Sequence, residues 1–260
     1  SVPNPEEGVN PEGEGPNLPM SWRLGKSELQ YPAEFFWLLA LAFFLPLFEA
    51  PKNICWLGYL LTWLYNRISS GDWGGRWDRW DSLIMVWIVS GYVGAVFAGL
   101  HGNEWGDATD LLRYGSVLWV VRRSRYTGRA PLLILCTLMV SAILGLGWGY
   151  WEVYGAGSSL FLSLNSVGHV NHSAIYLAIV FGAGLSALVS YADRMSPVAG
   201  VLLGLTTIVL IVSVFVTESR AAIGAAAVFA VVFLGVFGAR RRLGAVKGTL
   251  IAVLGMAAML

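Results

Sequence analysis

Val201-Leu-Leu-Gly-Leu-Thr-Thr-Ile-Val-Leu-Ile-Val-Ser-Val-Phe-Val216 leads into Thr217-Glu218-Ser219-Arg220, and an apolar run from Ala221 to Gly238 follows at once. About twenty apolar residues cross a bilayer as a helix. This stretch therefore reads as a hairpin of two membrane helices whose turn holds an acid and an arginine. Charges beside hydrocarbon cost roughly +2.5 to +3.5 kcal/mol each at a helix centre, and less near an interface. A pair placed there faces a cavity or binds a ligand. The planar donor fork of an arginine matches phosphate oxygens, so Arg220 suits a phosphate-bearing lipid.

The same pattern extends outward along the chain. Apolar runs occupy 33–50, 53–66, 82–100, 107–121, 130–150, 172–191, 197–216 and 221–238, and a ninth begins near 248. Two of them, 53–66 and 107–121, are short for a span, which leaves tilted, re-entrant or longer helices open. The expected fold is all-α, a polytopic transmembrane helical bundle over 33–260. Composition agrees: 56% of residues are apolar and 13% charged, about half the usual charged share, with a mean hydropathy of +0.63. A net charge of +1 gives no sign of nucleic-acid binding. Cys55 and Cys136 both lie in apolar runs and read as small packing residues. Residues 1–32 form an acidic tail and lead-in; Glu6, Glu7, Glu12 and Glu14 sit among prolines and glycines with little to bury, which predicts disorder. The last run covers about thirteen residues before Leu260, or about 20 Å of a roughly 30 Å core. The chain is expected to continue beyond it.

Basic residues in short loops face the cytoplasm. Arg122, Arg123, Arg125 and Arg129 form one cluster, and Arg240, Arg241, Arg242 and Lys247 another. An even number of spans separates them, so they agree. Counting back also places Arg67, Arg76, Arg79 and the N-terminus inside. The 151–171 loop and the Thr217–Arg220 turn then share the opposite face with Glu49, Lys52, His101, Glu104 and Asp107.

Several constellations could carry chemistry. Gly168-His169-Val170-Asn171-His172 opens the 172–191 span, where a helix N-terminus offers unpaired N–H groups to an anion. The two histidines admit three readings: a metal pair lacking further ligands at suitable spacing, capping and interfacial packing, or the polar wall of a lipid-phosphate site. Arg113 lies three residues from Asp110 and can pair with it on one helical face. It is either a buried structural ion pair or a second phosphate contact. Trp73, Trp77 and Trp80, interspersed with Arg76 and Arg79, predict a short interfacial helix. Gly200 and Gly204 predict close helix packing.

Gly168-His-Val-Asn-His172 with Ser173-Ala-Ile-Tyr-Leu177, followed one hairpin later by Thr217-Glu-Ser-Arg220-Ala-Ala, resembles the O-antigen ligase and O-antigen polymerase superfamily of bacterial envelope glycosyltransferases. The likeness covers roughly 165–240, and the ligase branch is the nearer. It implies a multi-pass protein of the bacterial inner membrane with its active site facing the periplasm. The implied donor is an undecaprenyl-diphosphate-linked glycan, and the implied acceptor is lipid A–core; no metal and no other cofactor is implied. Arg220 matches the motif arginine that would bind the diphosphate. His169, Asn171, His172 and Glu218 would line the same face, although Glu218 is not part of the motif. The family's catalytic histidine lies in a later loop, so the base is expected beyond Leu260. Alternatives are a polymerase using the same donor, a transporter of lipid-linked sugars and a structural membrane subunit.

Overall fold

The computed structural model describes residues 31–99, 102–157, 159, 161–167, 170–191 and 195–238. Among these run eight α-helices: α1 (Pro32–Phe44), α2 (Glu49–Ser70), α3 (Arg79–Phe97), α4 (Gly102–Ser124), α5 (Ala130–Tyr150), α6 (Val170–Ser190), α7 (Pro197–Val216) and α8 (Arg220–Gly238). α3, α6 and α7, together with α5 as extended to Gly155 by a π-helical turn, are long and apolar enough to cross a membrane. Their outer surfaces are apolar as well: Val86, Phe97, Val140, Ile179, Val201 and Leu202 are all exposed. A helix that is hydrophobic all round belongs in lipid. The chain is an all-α, multi-pass membrane bundle.

The elements depart from the apolar runs in physically legible ways. The run at 33–50 breaks at Phe44. Pro46 lacks the N–H a continuing helix needs, and the chain turns over 45–48 before α2 starts at Glu49. The two short runs are longer helices, α2 of 22 residues and α4 of 23; hydropathy hides their charged outer turns. The tryptophans do not form an interfacial helix. Residues 71–78 are irregular, and only Trp80 enters a helix, α3, whose N-cap Asp78 accepts from the N–H groups of Trp80 and Asp81. Gly200 and Gly204 face open space, not a partner helix. The close approach is at Gly184, where an added Cβ would sit 2.9 Å from Thr207 Oγ1 and 3.2 Å from Met139 Cε. Cys55 and Cys136 are both free thiols. The acidic tail and the ninth run lie outside the described residues.

Two apolar cores hold the bundle. One packs α5, α6, α7 and α8 around Ala142, Leu146, Ala174, Leu177, Phe181, Leu210 and Ala222. Its small residues let backbones approach closely, which is how helices associate in lipid. The second joins α1, α2 and α4 through Phe35, Leu38, Tyr59, Trp63 and Val120. α1 also packs on α5, linking the halves.

The polar contacts sort to two ends. At one end the buried Asp81 carboxylate accepts from Trp119 Nε1 (2.9 Å), Arg122 Nη1 (2.9 Å), Arg123 Nε (3.1 Å) and Nη2 (2.5 Å), and Asp78 N (2.8 Å). Nearby, buried Glu34 of α1 accepts from Tyr126 (2.9 Å), Ser124 (2.5 Å) and Asn66 (3.2 Å), with Arg67 Nη2 at 3.7 Å. This basic end gathers the starts of α1, α3 and α5 and the ends of α2 and α4. The opposite end gathers the α1–α2 turn, the 156–167 loop and the α7–α8 turn.

Candidate functional site

The loop after α5 organises the opposite end. α5 passes into a π-turn over Trp151–Gly155, closed by Ala156 N donating to Trp151 O at 2.8 Å. Tyr150 stacks on Tyr154, and its hydroxyl meets Ser213 Oγ of α7 at 3.1 Å. Leu162 and Leu164 then sink into the α5–α8 core, which also holds Val214 and Ala222 on either side of the α7–α8 turn. Leu164 N donates to Ser173 Oγ of α6 at 2.9 Å. Two residues further, the loop reaches the other half of the molecule. Asn165 Nδ2 donates to Leu47 O (3.0 Å), and Ser166 N donates to Pro46 O (3.3 Å).

A charged cluster forms where it arrives. Ser166 Oγ donates to Glu49 Oε2 at 3.3 Å, and Lys52 Nζ donates to Glu49 Oε2 at 2.6 Å and to Ser166 O at 3.2 Å. Arg113, eleven residues into α4 and so about 16 Å from its start, donates to Asp110 Oδ1 at 2.9 Å, as its spacing predicts. Its Nη1 lies 3.8 Å from Glu49 Oε1. The four charges Glu49, Lys52, Asp110 and Arg113 sum to zero. Two buried polar atoms in this cluster are left without a hydrogen-bond partner, Arg113 Nε and Asn53 Oδ1. The sequence places Glu49 and Lys52 on this side of the molecule but gives no sign that they meet Arg113. The readable signal is two charges around Pro51 at the boundary of two apolar runs.

The α7–α8 turn is built differently. α7 ends at Val216, and Thr217 N and Glu218 N donate to Ser213 O (3.1 Å) and Phe215 O (3.0 Å). Glu218 takes a left-handed backbone, φ 57°, which is uncommon for a residue with a side chain. That reversal sends Thr217 and Ser219 inward, 3% and 5% exposed, and leaves Glu218 and Arg220 outward. Ile223 N donates to Ser219 O at 3.0 Å, so Ser219 sits at the N-cap position immediately before α8. A serine there normally caps the first-turn N–H groups. Here its buried Oγ has no hydrogen-bond partner among the described residues. Arg220 forms no ion pair among the described residues, and Glu218, two residues away, does not neutralise it.

Of the other residues singled out by the sequence, Asn171 and His172 stand exposed in the first turn of α6, which opens at Val170. His169 lies outside the described residues. Arg113 and Arg220 are not brought into contact: α4 packs on α2 and α3, α8 on α6 and α7. The 156–167 loop bonds to the Glu49 and Lys52 cluster through Ser166 and buries Leu162 and Leu164 in the α5–α8 core. Among the described residues, no three His, Cys, Asp or Glu side chains gather into a metal-binding group. Comparison of the chain with protein-family models, with curated proteins and with solved structures finds no match to any of them.

Proposed function

We propose that this protein is a membrane glycosyltransferase that moves a glycan from undecaprenyl diphosphate to lipid A–core at the periplasmic face. The observation that carries the reading is the start of α8. Among the described residues, an exposed arginine without a carboxylate partner stands beside a buried serine hydroxyl without a hydrogen-bond partner, at the N-terminus of a membrane helix. First-turn N–H groups, the helix dipole, a hydroxyl and a guanidinium all favour an anion. A lipid diphosphate delivers that anion to the membrane surface.

In the reaction the bond between the anomeric carbon and the diphosphate oxygen breaks, and the electron pair leaves with the diphosphate. The acceptor hydroxyl oxygen forms the new glycosidic bond and loses its proton to a base. We assign that base to none of the described residues. Charge on the leaving diphosphate grows as the bond breaks, so Arg220 stabilises the transition state more than the bound donor. Arg113 is engaged by Asp110 and Glu49. It contacts a phosphate only by exchanging one of them, while Lys52 and Ser166 hold the loop in place.

The test supplies membranes containing the full protein with a radiolabelled glycan on undecaprenyl diphosphate and, separately, lipid A–core or a second lipid-linked glycan. Label appearing on lipid A–core, with or without chelator, supports the reading. Label on the second lipid-linked glycan alone makes the protein a polymerase. Movement of intact donor across the bilayer without transfer makes it a transporter.

A further inference from the structure

The basic end carries five arginines around the α3–α4 contact, and the fold uses only two of them. Arg122 bonds Asp78 and Asp81, and Arg123 bonds Asp81. Arg76, Arg79 and Arg125 are exposed and form no ion pair among the described residues. Arg125 takes a left-handed backbone, φ 49°, a conformation that costs a side-chain-bearing residue energy and that the surroundings must hold. It brings the guanidinium onto the 71–78 loop: a Cβ built on Gly75 would lie 2.6 Å from Arg125 Nη2.

The loop is a fixed platform. Arg123 Nη1 donates to Trp73 O (2.9 Å) and Gly75 O (2.8 Å), and its Nη2 to Arg76 O (3.5 Å). Asp72 turns onto Gly74 N at 2.9 Å, and Asp78 is taken by Arg122 and the α3 N-terminus. Asp78 and Asp81 are neutralised by Arg122 and Arg123, and Asp72 offsets only one of the three remaining arginines, so the surface stays positive. Beside them Trp73, Trp77 and Trp80 are 45%, 55% and 64% exposed. Exposed indoles settle at headgroup level in a bilayer, and guanidinium forks grip phosphate. We propose that this surface binds the phosphate headgroups of anionic phospholipid in the adjoining leaflet, through Arg76, Arg79 and Arg125. The site lies at the end of the bundle opposite Arg220 and does not rest on the transferase reading.

Detergent-solubilised full protein is titrated with short-chain phosphatidylglycerol, phosphatidylcholine and inorganic phosphate. The proposal expects saturable phosphatidylglycerol binding that weakens with salt. Each arginine contributes about a factor of five, so Arg76→Gln/Arg79→Gln/Arg125→Asn lowers affinity roughly a hundredfold with the melting temperature unchanged. Asparagine is chosen at 125 because it tolerates the left-handed backbone. Should the triple variant fail to fold, Arg76→Glu decides, because the Arg76 side chain makes no hydrogen bond or ion pair among the described residues. It must lower phosphatidylglycerol affinity by at least about fivefold. Equal affinity for phosphatidylglycerol and phosphatidylcholine, equal affinity for inorganic phosphate, or unchanged affinity in the variants would overturn the proposal.

Discussion

Arg220 and Asp81 are both charged residues at the ends of membrane helices, and what surrounds each decides its role. Asp81 is fully buried and receives five hydrogen bonds, three from two arginines. Removing one partner of a buried ion pair strands the other charge and costs about 3–5 kcal/mol. Asp81→Ala is expected to lower stability by that much, read as thermal unfolding in detergent. Asp110→Ala removes a half-exposed partner of Arg113 and is expected to cost within about 1 kcal/mol. Equal losses in the two variants would contradict this ranking. The Arg113–Asp110 pair was readable from spacing alone. The contacts of Ser166 with Glu49 and Lys52 were not, because they join residues more than a hundred positions apart through a loop without periodicity. Ser219 was hidden for another reason: an unfilled hydroxyl shows only once burial and geometry are known.

At the scale of elements, α5 to α8 follow from apolar runs and their breakers, and the structure moves their ends by only a few residues. α2 and α4 are undercounted by hydropathy, because the turns beyond the marked runs carry Glu49, Lys52 and Arg67 in α2, and Glu104, Arg122 and Arg123 in α4. The 71–78 segment defeats periodicity altogether. Its tryptophans repeat at helical spacing, yet Gly74 and Gly75 take positive φ, 75° and 110°, and Arg123 holds the carbonyls of an open loop. Asp78 closes that loop. The hydrogen bond from Arg122 holds its carboxyl below the usual range, against a smaller opposing effect of burial. A lowered folded-state pKa adds stability above the unfolded value and loses it as pH falls through the folded one. Melting temperature is therefore expected to drop on acidification below the usual carboxylate range. Asp78→Asn keeps an N-cap acceptor but loses the charge, so its melting temperature should drop less over the same interval. Parallel acid profiles would remove Asp78 from the account.

For the whole molecule, the all-α membrane class was legible in hydropathy, with four helices among the described residues long and apolar enough to span, and the grouping of ends was legible in the basic loops. The division into two cores joined by α1 against α5 was not, since small residues such as Ala142, Ala174 and Ala222 mark close packing without naming partners. The arrangement predicts that a cysteine replacing Ala156 or Glu218 reacts with a membrane-impermeant maleimide added to intact cells. One replacing Thr127 should not. All three are read in a background where Cys55 and Cys136 are alanine, and reaction at 127 alone would invert the map. The central claim is that the α7–α8 turn takes a lipid diphosphate, and direct binding tests it. Detergent-solubilised full protein is titrated with undecaprenyl diphosphate, comparing the parent with Arg220→Lys and Arg220→Ala. The account predicts saturable binding that Arg220→Lys weakens, through loss of the two-pronged donor, and that Arg220→Ala weakens by at least about tenfold. Full affinity in Arg220→Ala, with the fold intact by melting temperature, would contradict it.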